Sequence, residues 1–171
     1  MKTVVLGPPP TELKAFIERR QQLRLDLFDE VWEGCYHVVP APHPSHGLVE
    51  DQLARILGRY ADAAGLVGSG PFNLGGPDNY RVPDRGYHRV PPTTTWVPTV
   101  AIAVEVVSPH DETFEKFDFF AQHHVDELLI AEPETRQVRC WRLGEDTYTE
   151  VDHSGILGVT TGAITDQITW P

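Results

Sequence analysis

A chain of 171 residues, 40% hydrophobic and 23% charged, has the length of one domain and the composition of an ordinary globular protein. Its formal net charge of −11 argues against tight, sequence-independent binding to phosphate backbones, which depends on lysine and arginine, although a local basic patch or a bound metal can supply positive charge. No apolar run approaches the roughly 18 residues of a membrane helix, so no membrane partner is expected and the protein reads as cytoplasmic.

Residues 1–9 read as an extended lead into a run of prolines, with an apolar stretch too short for a secretory signal. Leu13, Phe16, Ile17 and Leu23 recur at helical spacing, which predicts a helix over 11–23 with Thr11 as its N-cap. Residues 30–39, rich in β-branched and aromatic types, predict a strand pair or a bent strand around Gly34. The following proline-rich stretch reads as a loop. Ser45 is then expected to cap a long helix over 46–63, whose apolar stripe runs through Leu48, Val49, Leu53, Ile56, Leu57 and Tyr60, with Gly65 at its C-terminal stop. Residues 66–74 read as one strand, followed by a Gly-Pro-Asp turn and a short strand ending near Pro83-Asp84.

After a loop rich in proline and threonine, residues 99–107 (TVAIAVEVV) are almost continuously apolar. Such a run predicts a central strand buried on both faces, stopped by Ser108-Pro109. A helix is expected over 111–123 with Phe114, Phe117, Phe120 and Ala121 on its apolar side. Residues 125–133 read as a strand, and 134–151 as a hairpin turning at Gly144. The tail reads as one more short strand or an extended arm. The order predicts an α/β fold: a mixed sheet with helices packed on its faces.

The informative anomaly is Glu105, a carboxylate inside the apolar strand. Burying an ionised carboxylate without a partner is very costly, so a cation, a donor network or a metal is expected beside it. Asp84 ends a short strand upstream, and a hairpin would bring the two strand ends together. Two converging carboxylates are a usual way to hold Mg²⁺ (or Mn²⁺), which takes oxygen ligands and keeps several waters. Lys116 follows on the next element, where an ammonium could orient a water or stabilise negative charge on a phosphoryl group. His46 and Glu50 share one face of the long helix and are candidate supporting residues, Glu50 as a further metal ligand. Each has an alternative: Asp84 as a turn residue after proline, Glu105 as a salt-bridged core carboxylate, Lys116 as a solvated helix residue, and His46 and Glu50 as a helix N-terminal pair.

Other chemistries find little support. Cys35 and Cys140 lack metal or redox spacing and read as structural thiols. The histidine pairs do not have chelating geometry. There is no GxxxxGK[ST] phosphate loop and no G-x-S-x-G elbow. Arginines cluster at Arg19, Arg20 and Arg24, and again at Arg81, Arg85 and Arg89, as candidate basic patches.

The sequence resembles the Uma-type endonuclease family, which is of the PD-(D/E)XK, restriction-endonuclease-like type. The matching pieces are Glu33-Gly34, His46, Pro83-Asp84, the run Val104-Glu105-Val106-Val107-Ser108-Pro109, Lys116 with Phe120, and His124-Val125-Asp126-Glu127 leading into LLIAEP. The resemblance implies a central mixed sheet flanked by helices, with residues 28–171 as the nuclease-like domain and 1–27 as an N-terminal extension and helix. It matches Asp84 and Glu105 to the acidic pair. Val107 stands where the general nuclease pattern has lysine. The family commonly moves that lysine to the next helix, and Lys116 matches the moved residue. Departures include Glu112, Phe120, His124 and Leu129, where the family has aspartate, tyrosine, glycine and tryptophan. The implied function is Mg²⁺-dependent hydrolysis of phosphodiester bonds in DNA, and the alternative is a catalytically silent nuclease fold serving as a binding or assembly module. A homodimer is also implied, and the hairpin at 136–151 is expected to present Val138, Cys140 and Trp141 near a sheet edge.

Overall fold

The computed structural model describes residues 10–109 and 112–171. The lead read over 1–9 lies outside these residues, as does the first residue of the helix expected over 111–123. Helix α1 (Thr11–Gln22) forms where its periodicity predicts, but Pro10 rather than Thr11 occupies the N-cap and none of its residues is buried. A hairpin follows, β1 (Glu30–Trp32) against β2 (Cys35–His37). Glu33 and Gly34 turn it in the left-handed region, at φ 46° and 82°, as a two-residue hairpin loop requires.

Helix α2 (Pro44–Ala63) starts two residues earlier than expected, with His43 as its cap: the His43 side chain accepts from the Ser45 amide. Pro44 is tolerated because a first-turn N–H has no helical partner to lose. The four expected core residues, Val49, Leu53, Ile56 and Leu57, are buried, whereas Leu48 is 60% exposed.

The segment expected as one strand over 66–74 is two, because Gly70-Pro71 interrupts it and sends the halves to different sheets. β3 (Val67–Ser69) joins a six-stranded sheet, and β4 (Asn73–Gly76) joins a five-stranded one. The Pro77-Asp78 turn closes β4 onto β5 (Asn79–Arg81), and Pro83-Asp84 separates β5 from β6 (Arg85–His88). After β7 (Trp96–Val97) comes β8 (Ile102–Val106), buried at every position. It lies inside the six-stranded sheet, antiparallel to β6 and parallel to β9 (Glu127–Glu132). The sheet continues through β10 (Gln137–Leu143) to the edge strand β11 (Tyr148–Val151).

The parallel β8–β9 pair needs a crossover, which holds a 3-10 turn (Thr113–Lys116) and the short helix α3 (Phe117–Gln122). The crossover buries Phe119 and Phe120 and packs Phe117 against the same core, as expected of Phe117 and Phe120, but leaves Phe114, in the 3-10 start, 46% exposed. The tail is also more structured than one arm. A two-stranded ribbon, β12 (His153–Ser154) with β13 (Val159–Thr160), leads to α4 (Thr161–Thr165).

Strand alternation sorts the core into two faces. Ile102, Val104 and Val106 pack on the side of α2, with Leu129, Ala131 and Ile164. Ala103 packs on the other side with Leu128, Ile130, Phe119, Phe120 and Leu74. Glu105 shares the parity of Ala103, so it faces the crossover. Val138, Cys140 and Trp141 are 3%, 0% and 7% exposed; they are interior residues, and the hairpin does not present them to a partner as expected. Cys35 and Cys140 are not joined in a disulfide, and burial pushes Cys140 up to about 12. Among the described residues no helix is long and apolar enough to cross a membrane.

One glycine fixes the small sheet against α3. Gly75 has φ +115°, and a Cβ there would meet Asn79 O at 2.5 Å and Phe119 Cζ at 2.9 Å. Gly75→Ala should therefore cost about 3 kcal/mol, combining overpacking with backbone strain. At Gly34 (φ +82°) the added methyl meets nothing within 4 Å, so Gly34→Ala should cost only the left-handed penalty of about 1 kcal/mol. Urea denaturation of the two variants checks this, and equal losses would mean that the close approach at Gly75 is not there.

Candidate functional site

Register puts two carboxylates side by side. Arg85 pairs with Val104 in the antiparallel β6–β8 ladder, so Asp84, one residue before, stands across from Glu105, one residue after. Pro83 has no N–H to continue the ladder. Asp84 extends it with its side chain: Oδ2 accepts from the Val106 amide at 2.8 Å. Its other oxygen, Oδ1, lies 3.2 Å from His46 Nε2, and His46 Nδ1 is 3.1 Å from Ser108 Oγ. The first turn of α2 thus orients the aspartate.

The crossover leaves β8 at the same end and returns Lys116 beside it. The Lys116 ammonium donates to Glu105 Oε1 at 3.0 Å and lies 3.0 Å from Glu30 Oε1 on β1. Glu30 is held on both oxygens, by the Val82 amide on Oε1 and by Trp32 Nε1 on Oε2, each at 2.7 Å. Glu30, Glu105 and Lys116 are all buried. Burial pushes Glu105 well above the usual carboxylate range. Lys116 opposes that shift, and Asp84 and Glu30 reinforce it by repulsion. For Lys116, burial acts to lower its pKa, but the attraction of Glu105 and Glu30 outweighs it, so the group sits above its ordinary value and stays charged.

These groups line a cleft of about 560 Å³ that also includes His37, Ser108 and Glu112. His37 stacks on Trp32 with centroids 4.5 Å apart and approaches Glu112 at 3.5 Å. Among the described lining residues Lys116 is the one lysine or arginine, set against the carboxylates of Glu30, Asp84, Glu105 and Glu112.

The structure therefore brings together Asp84, Glu105, Lys116 and His46. Glu50 does not join them. Arg85, the residue after Asp84, takes its carboxylate at 2.6 Å, and Glu50 is not among the described residues that line the cleft. Of the expected basic patches, Arg20 pairs with Asp29 and Arg89 with Asp126, while Arg19 and Arg24 are exposed. Arg81 is buried with its guanidinium 4.3 Å from the Trp32 ring and 4.1 Å from Phe119. Glu30 was missed. Its signal was of the same kind as that of Glu105, a carboxylate in an apolar and aromatic strand, but β1 is too short to read as a core strand.

The donor set suits a hard divalent cation. Among the described residues no group of three or more His, Cys, Asp or Glu is arranged to hold a metal. Mg²⁺ needs no such cage, because it is bound through one or two carboxylates and retains its waters. Asp84 and Glu105 supply two. Among the described residues, Lys116 is the hydrogen-bond donor to Glu105, through Oε1.

A family model described as "Uma2: Putative restriction endonuclease" matches residues 13–161. Among solved structures, the chain is similar to a "putative nuclease belonging to DUF820" from Anabaena variabilis, with a TM-score of 0.67 and 12% identity. That match covers 82% of this chain and 90% of the other, and at this identity it shows a shared fold. No curated protein matches the chain.

Proposed function

The chain belongs to the Uma2 family, and from that premise we propose that it is a divalent-metal-dependent nuclease that hydrolyses phosphodiester bonds in DNA. The observation that carries this reading is the meeting of Asp84, Glu105 and Lys116 in one cleft. Asp84 and Glu105 would hold Mg²⁺ or Mn²⁺. When bound, the ion would neutralise phosphate charge and lower the pKa of a coordinated water. Lys116 keeps an ammonium beside that position, suited to orienting the attacking water and to stabilising charge on the phosphoryl oxygens. His46 holds Asp84 in place, and burial on β8 keeps bulk water from Glu105. In the reaction, water adds to phosphorus, one ester P–O bond breaks, and the leaving oxygen departs with a proton.

Nicking of supercoiled plasmid in Mg²⁺ and in Mn²⁺, with Glu105→Ala as control, tests the proposal. Cleavage that needs the metal and vanishes in the variant supports it, and no cleavage across a range of DNA and RNA substrates removes it. Two features favour a silent binding or assembly module as the second reading: Lys116 already bridges two carboxylates, and the described cleft lining offers no arginine for a phosphate backbone.

A cytoplasmic location remains part of the proposal, as does a homodimer. Since Val138, Cys140 and Trp141 are interior, the dimer surface assigned here is α1 and the segment after it, where Phe16, Leu23, Leu25 and Leu27 are each about half exposed or more. Sedimentation at tens of micromolar should give twice the chain mass, and Phe16→Asp with Leu27→Asp should give the monomer. A monomeric wild type would discard the dimer.

A further inference from the structure

Lys116 sits between two carboxylates that differ in how firmly they are held. Glu30 is tied by the Val82 amide and the Trp32 indole as well as by Lys116. The Trp32 ring is in turn backed by the Arg81 guanidinium, which rests on Phe119, and it stacks with His37. Rotating Glu30 away would break two further hydrogen bonds in a buried place, each costly to leave unmade. Glu105 has no such tether: among the described residues its one hydrogen bond is to Lys116.

We infer that Glu30 is a positioning residue for Lys116, the fixed anchor of its ammonium, and that Glu105 is the partner that can be released. The consequence rests on the nuclease reading. A divalent ion held by Asp84 and Glu105 would compete with the ammonium for the Glu105 carboxylate. A buried ammonium whose one anion turned to a metal would be left without a partner in the cleft. Glu30 remains as that partner, so Lys116 stays in place at the moment the metal arrives. The asymmetry turns a closed salt-bridge cluster into one that can exchange a single partner without losing its lysine.

The chain holds three lysines, Lys2, Lys14 and Lys116, and Lys14 is exposed. In ¹⁵N-lysine-labelled protein carrying Lys2→Arg and Lys14→Arg as a common background, the ammonium signal therefore reports Lys116. Wild type, Glu30→Gln and Glu105→Gln are compared with and without Mg²⁺, alongside calorimetric Mg²⁺ affinity. In the wild type the signal should shift with Mg²⁺ and persist. Metal-free Glu105→Gln should keep it, because Glu30 remains. Glu30→Gln should keep it without metal and, on adding Mg²⁺, exchange at least about tenfold faster as local opening becomes easier. Its Mg²⁺ affinity should fall less than about 10-fold, the lower end for residues behind a metal ligand.

Slow exchange that survives Mg²⁺ in Glu30→Gln overturns the inference. So does a loss of Mg²⁺ affinity in Glu30→Gln equal to that in Glu105→Gln, since Glu30 would then be a ligand. If the wild type binds neither Mg²⁺ nor Mn²⁺, it is the nuclease reading that fails, and the metal-free Glu105→Gln signal decides the anchor by itself: its loss overturns the inference, and its persistence upholds it. The same arm decides the matter if Glu30→Gln does not fold.

Discussion

Glu105→Gln should lower Mg²⁺ affinity by more than about 100-fold and abolish metal-dependent cleavage, while stability changes by no more than about 1 kcal/mol. The first figure exceeds the 10- to 100-fold typical of residues behind a ligand, because a ligand charge itself is removed. The second follows from the surroundings. Glutamine keeps the shape, and its carbonyl oxygen can still accept from Lys116, which retains Glu30 as a counter-ion. A neutral amide is also cheaper to bury than a carboxylate whose pKa burial already pushes up. For the same reason wild-type Mg²⁺ binding should strengthen as pH rises above the ordinary carboxylate range, because the ion must replace a proton on a raised acid. Calorimetry, plasmid nicking and thermal unfolding on one preparation separate the effects. Parallel losses of affinity and stability would make Glu105 a structural residue. Metal binding without cleavage of any nucleic acid would leave the silent module as the better account.

The elements that could be read from sequence are those whose pattern follows from their own burial. β8 is legible because both of its faces meet apolar layers, and Val49, Leu53, Ile56 and Leu57 because one face of α2 does. The acidic pair was legible as an anomaly, a charge in an apolar strand with a second carboxylate a hairpin away. What was hidden depends on contacts distant along the chain. Glu30 meets Lys116 only because β1 pairs with β5, Val31 opposite Tyr80, and no local period encodes that meeting. Glu50 looked like a partner of His46 through helical spacing, but Arg85 enters from another element and takes it. The split of residues 66–74 between two sheets follows from Gly70-Pro71, a breaker visible in the sequence whose consequence, two different sheets, is tertiary. The helix expected after Ser108-Pro109 begins as a 3-10 turn, which ends at Lys116 in the cleft and leaves Phe114 exposed.

Lys116→Met should be the most damaging single change to stability in the site, costing about 3–5 kcal/mol at neutral pH in EDTA. Methionine fills a similar volume, so little of this is lost packing. The cost comes from leaving Glu30 and Glu105 buried with no cation between them, the circumstance in which breaking an ion pair is most expensive. The pH dependence identifies the cause. In the wild type, burial raises Glu105 and Lys116 opposes that rise; without the lysine the pKa goes higher still. A carboxyl whose folded pKa is raised binds a proton in the native state that it lacks when unfolded. Its contribution is therefore fully present below the unfolded carboxylate value and is lost as pH rises through the folded one. The wild type shares this loss up to its own raised value, about 8, so the deficit of the variant should be steady from about pH 5 to 7 and grow above about pH 8, where the wild-type carboxyl ionises beside a charged Lys116 and the variant's does not. Adding Glu105→Gln to Lys116→Met removes one of the two stranded carboxylates and should recover a large part of the loss. Denaturant titrations of the three proteins at about pH 6 and about pH 9.5, either side of the raised wild-type value, are the measurement. A deficit that does not change between those pH values would show that the carboxylates are not stranded, and that the lysine contributes through its packing alone.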